Sequence, residues 1–297
     1  MNYIGRFAPS PSGALHFGSL VTALASYCQA KSKNGVWQVR IEDIDPPREV
    51  EGASEDILQT LQTYGLQWDG DVIYQSQQSD YYQHILGQLK TQQISYYCDC
   101  TRKQIKAQGG IYLGTCRDKQ QSNLKNNTRF SLRINLNRLE QPVRHFNDQL
   151  LGEIKLDEQD CNDDFIIQRK DGLYAYNLAV VLDDIKQGIT EIVRGADLIN
   201  TTGKQQALYF LLNKYHLLEE PACIPKYVHI PLVVNALGLK LSKQNHARAI
   251  DKENPIPTLL KALDYLGQIA PNNASNRSVK GVVDWAVKNW QLQKVPH

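Results

Sequence analysis

Three groups of residues in this chain have the types and spacing that chemistry requires. PSPSGALHFGS, Pro9 to Ser19, sets Pro11, Gly13, His16 and Gly18 just ahead of an apolar, helix-like run. Pro11 and Gly13 can fix a tight turn, and the exposed N–H groups of a helix start favour an anion. Gly18 lets a phosphate approach backbone that a side chain would shield, and His16 can donate a hydrogen bond beside it. Such a segment could cradle the phosphates of a nucleotide; the plain alternative is an ordinary strand-to-helix turn with a surface histidine. KLSKQ, Lys240 to Gln244, carries two lysines on a glycine-containing loop. They could clamp a triphosphate as mobile point charges, or simply be solvated. Cys98, Cys100 and Cys116 form the third group. Three soft ligands suggest zinc, whose structural sites take four. No fourth cysteine or histidine lies nearby, His145 being well downstream. The alternative is three reduced thiols in a small hydrophobic insert. Cys28, Cys161 and Cys223 stand alone and read as core.

Secondary-structure elements must position these groups. Tyr3 to Ala8 reads as a short strand, and Leu20, Leu24, Tyr27 and Cys28 recur behind it at helical spacing. Trp37, Val39 and Ile41 alternate with Gln38, Arg40 and Glu42, a strand with a polar end. Strand, loop, helix, strand is a βαβ unit, which predicts an α/β fold with a parallel sheet. Ligands of such sheets sit beyond the carboxyl ends of the strands, where Ala8–Gly18 and Glu42–Asp45 both fall. Helices are predicted over Ser54–Tyr64 and Ser79–Gln93. From Tyr96 to Asn127 the texture changes to cysteines, paired glycines and the polar tract DKQQSNLKNN, an insert or flexible crossing. Short strands are expected at Phe130–Ile134 and Phe165–Gln168. LYAYNLAVVLDD, Leu173 to Asp184, is a buried apolar run in which Asp183 and Asp184 end a strand and cap the next turn, rather than forming a metal pair. Thr201 or Thr202 is placed to cap a helix through Leu212, YVHIPLVV is strand-like, and the C-terminal stretch around Leu259, Leu263, Val283 and Trp290 is helical.

A chain of 297 residues is long for one compact core, so one large domain with a sizeable insert, or two domains, is expected. Lys and Arg total 33 against 31 Asp and Glu, and the net charge of +2 excludes a global basic field. Any nucleic-acid surface must therefore be a local patch. The N-terminus carries no basic-then-apolar signal segment, and no apolar run nears the length of a membrane span. A cytoplasmic protein with reduced cysteines and no membrane partner is expected.

HFGS, beginning at His16, resembles the HIGH signature of class I aminoacyl-tRNA synthetases, and KLSKQ resembles their KMSKS signature, with Leu241 and Gln244 replacing Met and Ser. RFAPSPSGALHFGS, VRIEDIDPPR, YAYNLAVVLDD, EIVRGADL and the His229–Pro231 stretch resemble, in order, the catalytic domain of the glutamyl subgroup, over most of residues 3–250. The resemblance implies a Rossmann-like catalytic domain with an inserted acceptor-binding-type subdomain holding a zinc site. Residues 1–95 and 166–245 would be its two halves, the second carrying the lysine loop. Residues 96–165 would be the insert, and 246–297 a short helical C-terminal segment without an anticodon-binding domain. It further implies that His16 and Lys243 are catalytic on the ATP phosphates, with Gly18 and Lys240 also binding ATP. Arg6, Phe7, Ala8, Pro9, Ser10, Glu42, Tyr176 and Arg194 would form a glutamate pocket. In it Arg6 and Arg194 take the side-chain carboxylate, Tyr176 adds a hydroxyl and Glu42 takes the α-ammonium. Charge logic agrees, since a guanidinium matches a carboxylate as a fork. The alternative for Arg194 is a structural pair with Asp197 or Asp184. Tyr112 would complete the zinc set with Cys98, Cys100 and Cys116.

The chain ends at His297, which leaves little room beyond Lys243 for an anticodon reader. That shape and CDCT…GGIYLGTC resemble the truncated glutamyl paralogues, the glutamyl-queuosine tRNA(Asp) synthetases. The implied protein is an ATP-dependent ligase, a cytoplasmic monomer with one structural zinc and Mg2+ accompanying ATP. It would activate L-glutamate to glutamyl-adenylate without tRNA and transfer it to queuosine in the anticodon loop of tRNA(Asp). Arg102, Lys103, Lys106 and Arg117 could hold a stem-loop or be a solvated face. Three other readings compete. A truncated conventional glutamyl-tRNA synthetase charging the 3′ end is disfavoured by the missing helical domains. A nucleotidyltransferase on a small acceptor is disfavoured by the two arginines and Glu42. A non-catalytic zinc-stabilised RNA-binding module is disfavoured by intact His16, Lys243, Arg6 and Arg194.

Overall fold

The computed structural model describes residues 2–107, 109–119, 130–234, 248–271, 273 and 278–297. The chain begins with β1 (Ile4–Phe7), α1 (Phe17–Lys31), β2 (Val36–Ile41), α2 (Ala53–Thr63), β3 (Ile73–Tyr74) and α3 (Ser79–Thr91). It continues through β4 (Ser95–Cys98), α4 (Arg102–Ala107), β5 (Ser131–Ile134), β6 (His145–Asp148), β7 (Gly152–Lys155), α5 (Glu158–Asn162) and β8 (Ile166–Gln168). The last part holds α6 (Tyr176–Lys186), β9 (Glu191–Gly195), α7 (Ile199–Lys214), β10 (Lys226–Ile230), α8 (Pro255–Tyr265) and α9 (Val279–Asn289).

The predicted βαβ unit is present: β1 and β2 are parallel with Ile4 opposite Val36, and β3 extends the sheet beyond β2. A second sheet runs β9-β10-β6-β7, parallel except for the β6–β7 hairpin. The two sheets meet where Thr190 N donates to Ile4 O at 2.9 Å and Ile4 N donates to Thr190 Oγ1 at 2.9 Å. Across the layer the order is therefore β3-β2-β1, then β9-β10. The sequence of strands reverses between β1 and β9, the switch point at which ligands of such sheets bind. A third, antiparallel sheet is β4-β5-β8. The segment 96–165 contributes strands both to it and, through the β6–β7 hairpin, to the parallel layer.

Helix α1 is buried nearly all round because the sheet covers one side and α8 and α9 the other. Ala23, Ala25 and Ala30 let those neighbours approach closely. A second core gathers α3, β5, α6 and α7 around Leu86, Ile134, Leu178 and Leu208.

Four expectations are corrected here. The run ending at Asp184 is helix, not strand: with all but its ends buried, α6 lacks the polar stripe by which a helix is told from a strand, and Val180 and Val181 favour the wrong choice. Asp183 and Asp184 lie within that helix and are buried, so they cap nothing. Thr201 and Thr202 sit inside the first turn of α7, where their hydroxyls bond Leu198 O at 2.7 and 3.4 Å rather than capping the helix. Cys223 is exposed, while Cys28 and Cys161 are buried as expected. Among the described residues no helix is long and apolar enough to cross a membrane.

Candidate active site

A buried network of charges lies under the switch point. Arg6, near the end of β1, is almost fully buried, and Asp184 takes one edge of its guanidinium, with Nε to Oδ1 at 3.1 Å and Nη2 to Oδ2 at 3.3 Å. Arg40 from β2 shares the same Asp184 oxygen at 2.8 Å, and also lies 3.5 Å from Glu42 and 3.6 Å from Asp183. Asp183 in turn accepts from Gln75 and from the Tyr82 hydroxyl, both at 2.7 Å. Buried ions persist only when paired in this way. The loop bearing Glu42 is held at each step: Glu42 N donates to Pro9 O, Asp43 accepts from Ser76, and Asp45 pairs with Arg48 and Arg169. Burial pushes the Glu42 carboxyl up to about 7, against the pull of the Arg40 and Arg6 cations. Asp184 moves the other way, because Arg6 and Arg40 outweigh its burial.

Arg194, on β9, reaches the same region, and among the described residues its hydrogen bonds all go to neutral groups. Its Nε donates to His229 Nε2 at 3.0 Å, Nη1 to Gln205 Oε1 at 2.8 Å, and Nη2 to Thr202 Oγ1 at 2.8 Å and Leu198 O at 3.4 Å. It also lies 5.1 Å from the centre of the Tyr227 ring. Asp184 pairs with Arg6 and Arg40 instead. His229 is fully buried; its backbone N–H and ring Nδ1 both meet Asp148 Oδ2, at 3.0 and 2.8 Å. Burial holds the imidazole below its ordinary value, Arg194 adding to this and Asp148 opposing it. Tyr176 opens α6, and its hydroxyl lies within electrostatic reach of Arg194, Glu42, Arg6 and Asp184. The structure thus brings Arg6, Glu42, Tyr176 and Arg194 together. Two guanidiniums, one carboxylate and one phenol suit a zwitterion with an acidic side chain.

Above them a cleft of about 440 Å³ opens at the carboxyl ends of β1, β9 and β10 and the start of α1. That volume lies within the usual range for small-molecule sites. Phe7, Pro9, Ser10, His16 and Gly18 line it, while Ala8 is half-buried at the end of β1. Phe7 also stacks on Trp37, with ring centres 6.4 Å apart. His16 is the N-cap of α1, its Nδ1 accepting from Ser19 N at 3.2 Å. The neutral ring then carries its proton on Nε2, a donor at a helix N-terminus. Gly13 has φ of 123°, which requires glycine, and a Cβ at Gly18 would come within 3.1 Å of the His16 ring. Gly18 therefore makes room for the histidine. Lys240 and Lys243 lie outside the described residues. A larger hollow of about 940 Å³ at the amino ends of the strands holds none of the predicted site residues.

Cys98, Cys100 and Cys116 converge, their sulfurs all within 4.8 Å of one another. The buried Tyr112 hydroxyl accepts from Cys116 N at 2.8 Å and lies within hydrogen-bond reach of the Cys98 and Cys116 thiols. His145 is exposed on β6, away from the cluster. Three thiols and a phenol, closely grouped and largely buried, fit a thiophilic cation. Burial pushes the Cys100 thiol up to about 12, and the Tyr112 hydroxyl upward as well, so loading the cluster must release protons. The group is anchored from below: Asp164 takes a bidentate pair from Arg117 at 2.6 and 2.8 Å and a bond from Tyr96, and Arg133 stacks 3.9 Å over the Tyr112 ring. Arg117 is thus committed to Asp164 rather than to a basic face. Arg102 and Lys103 on α4 are exposed.

The sequence did not disclose the roles of Arg40, Asp148, Thr202, Gln205 and His229. Arg40 was visible only as the polar side of a strand; that it points inward follows from Asp183 and Asp184 lying on a helix.

Known proteins are similar to this chain in sequence and in fold. The chain is 52% identical over 294 residues to the glutamyl-Q tRNA(Asp) synthetase of Vibrio parahaemolyticus, covering 99% of this chain and 94% of that one. It is 54% identical to the protein of the same name from Escherichia coli K12, covering 91% of it. A glutamate tRNA ligase from Elizabethkingia meningosepticum, solved in complex with its amino acid, superposes with a TM-score of 0.77 at 24% identity, over 99% of this chain and 66% of that one, and shares its fold. Matched from residue 4 to residue 269 by the model of the class I tRNA synthetase (E and Q) catalytic domain, the chain belongs to that family of ATP-dependent ligases.

Proposed function

We propose that the protein activates L-glutamate with ATP, in the absence of tRNA, and transfers it to the queuosine base of tRNA(Asp). The convergence of Arg6, Arg194, Glu42 and Tyr176 beneath the cleft carries the glutamate half of this reading. Glutamate's side-chain carboxylate meets the two guanidiniums and its ammonium meets Glu42. That leaves the α-carboxylate directed at the α1 start. This oxygen is already ionised, so no general base is needed. It attacks the α-phosphorus of ATP, the bond to the bridging oxygen breaks, and pyrophosphate leaves with the electron pair. The His16 Nε2 proton and the N–H groups of α1 stabilise charge on the phosphates, joined by Lys240 and Lys243, and Mg2+ accompanies ATP. Positioning and charge stabilisation carry such a step.

The acceptor half is supported by relatives named glutamyl-Q tRNA(Asp) synthetase, matched over nearly their whole length. In this reading zinc holds Cys98, Cys100, Tyr112 and Cys116 together, and the segment 96–165 carries it toward the RNA. Metal analysis is expected to find about one zinc per chain; active protein without zinc would remove the metal from this account.

One experiment separates the alternatives: glutamate-dependent ATP–pyrophosphate exchange without RNA, followed by transfer of labelled glutamate to tRNA with and without queuosine. Exchange without tRNA, and transfer only to queuosine-bearing tRNA(Asp), are expected. Exchange that requires tRNA would favour a conventional glutamyl-tRNA synthetase, and exchange indifferent to glutamate a nucleotidyltransferase.

A further inference from the structure

The buried pair Asp148–His229 does not touch the cleft, yet its bonds run in one direction. Asp148 ends β6, and its Oδ1 accepts from Leu150 N and Leu151 N, each at 2.9 Å. Its Oδ2 accepts the backbone N–H of His229 at 3.0 Å and faces ring Nδ1 at 2.8 Å. The carboxylate is thereby fixed by the hairpin turn on one side and by β10 on the other. A guanidinium can only donate, so His229 Nε2, 3.0 Å from Arg194 Nε, must be the bare acceptor nitrogen. Nδ1 then carries the ring proton and gives it to Asp148. This tautomer satisfies the bonds to Arg194 and to Asp148 together.

The chemistry of the arrangement explains its form. A carboxylate placed directly on Arg194, as Asp184 is on Arg6, would orient the guanidinium but cancel its charge. A neutral imidazole takes the same Nε–H bond and brings no charge; the negative charge sits one ring further away. Tyr227 stacks parallel to the imidazole, with ring centres 6.1 Å apart, and Thr202 Oγ1 lies 3.3 Å from Nε2, so the ring is held from its face and its edge. Gln205 and Leu198 O, also neutral, complete the cradle around Arg194.

We propose that Asp148 and His229 are positioning residues for Arg194: Asp148 fixes the His229 tautomer, and His229 aims the Arg194 guanidinium at the substrate's side-chain carboxylate while leaving its charge intact. This rests on the reading that Arg194 meets that carboxylate. The alternative is that the pair only stitches β6 to β10.

The two differ in what they predict for KM. His229→Leu removes the acceptor and is expected to raise the glutamate KM about tenfold or more, the ATP KM staying within about twofold. His229→Gln returns an amide oxygen near the Nε2 position and should recover most of that loss. Nitrogen-15 spectra of the wild-type ring should show the proton on Nδ1. Equal impairment by Leu and Gln, an ATP KM that rises in step with the glutamate KM, or a proton on Nε2 would each overturn the proposal. Should His229→Leu fail to fold, the Gln variant and the wild-type tautomer carry the test. Arg194→Gln is the reference: if it leaves the glutamate KM unchanged, the reading of Arg194 falls and the relay with it; if it raises the KM while His229→Leu does not, the relay alone falls.

Discussion

Arg6 and Arg194 approach Tyr176 from opposite halves of the sheet, and they are held by opposite means. Arg6 is gripped by the carboxylate of Asp184, which it shares with Arg40. Arg194 is gripped by an imidazole, an amide, a hydroxyl and a carbonyl. Arg6 is therefore part of the charge balance that lets β1, β2 and α6 pack, and a ligand finds its charge already partly offset. Arg194 contributes little to that balance, which leaves its charge for the proposed glutamate carboxylate. A buried arginine can thus be essential to the fold or to the ligand, and the identity of its partners separates the two.

The largest effect expected is from Arg6→Ala. Removing one partner of a buried ion pair costs about 3–5 kcal/mol, and Arg40 remains to soften it, so the low end applies. Urea unfolding should register this loss, together with a fall in glutamate activation. An Arg6 variant as stable as the parent would break the contrast. Arg194→Ala should instead lower glutamate activation by more than about a hundredfold, the loss expected for an unmade charge-assisted fork, with a loss of stability smaller than that of Arg6→Ala. A matching fall in stability would make Arg194 a structural residue after all.

Glu42 sharpens the contrast by pH. Its carboxyl is raised to about 7 by burial, so it becomes neutral as pH falls through that value. A neutral acid cannot hold an ammonium, so the glutamate KM should rise on going from pH 8 to pH 6. A raised acid binds protons more tightly in the folded than in the unfolded chain. Its effect on the empty protein is therefore to reduce stability as pH rises from the ordinary carboxylate range through about 7. Glu42→Gln should flatten both trends, and a glutamate KM independent of pH in the parent would separate Glu42 from the ammonium.

Much of this was legible in the chain itself. The βαβ start could be read because each of its elements has a one-sided or alternating pattern, and the turn at Pro9–Ser19 because Gly and Pro have few uses there. Arg6, Glu42, Tyr176 and Arg194 are singled out through motifs and do lie near one another, and the three cysteines are singled out through proximity. The failures share a cause. Helix α6 is buried on all sides, so its sequence shows no period. The strands β6 and β7, HFND and GEIK, are short and half polar, and their pairing depends on β10. Asp148 and His229 are separated by 81 positions, a contact that only the closed sheet creates. Burial of a polar residue cannot be read from its own type, and Arg40, Asp148, Thr202, Gln205 and His229 are all polar and buried.

The smallest effect expected comes from Gly18→Ala, and it tests the cleft rather than the pocket. A Cβ there would stand 3.1 and 3.2 Å from Cε1 and Nδ1 of His16, so the ring must yield by a few tenths of an ångström. That shift loosens the Nδ1 bond to Ser19 and turns Nε2 away from the proposed phosphate site. The substitution also replaces glycine with alanine in the first turn of a helix, which favours folding by up to about 1 kcal/mol. The two consequences oppose each other in sign and fall on different measurements. Thermal stability should hold or rise slightly, while the ATP KM rises about threefold, as a partly weakened hydrogen bond would give, and the glutamate KM stays in place. This is the reverse of the Arg194 pattern, in which the glutamate KM moves and the ATP KM does not. A Gly18→Ala variant whose two Michaelis constants rise together would mean that the α1 start and the arginine pocket are not separable sites.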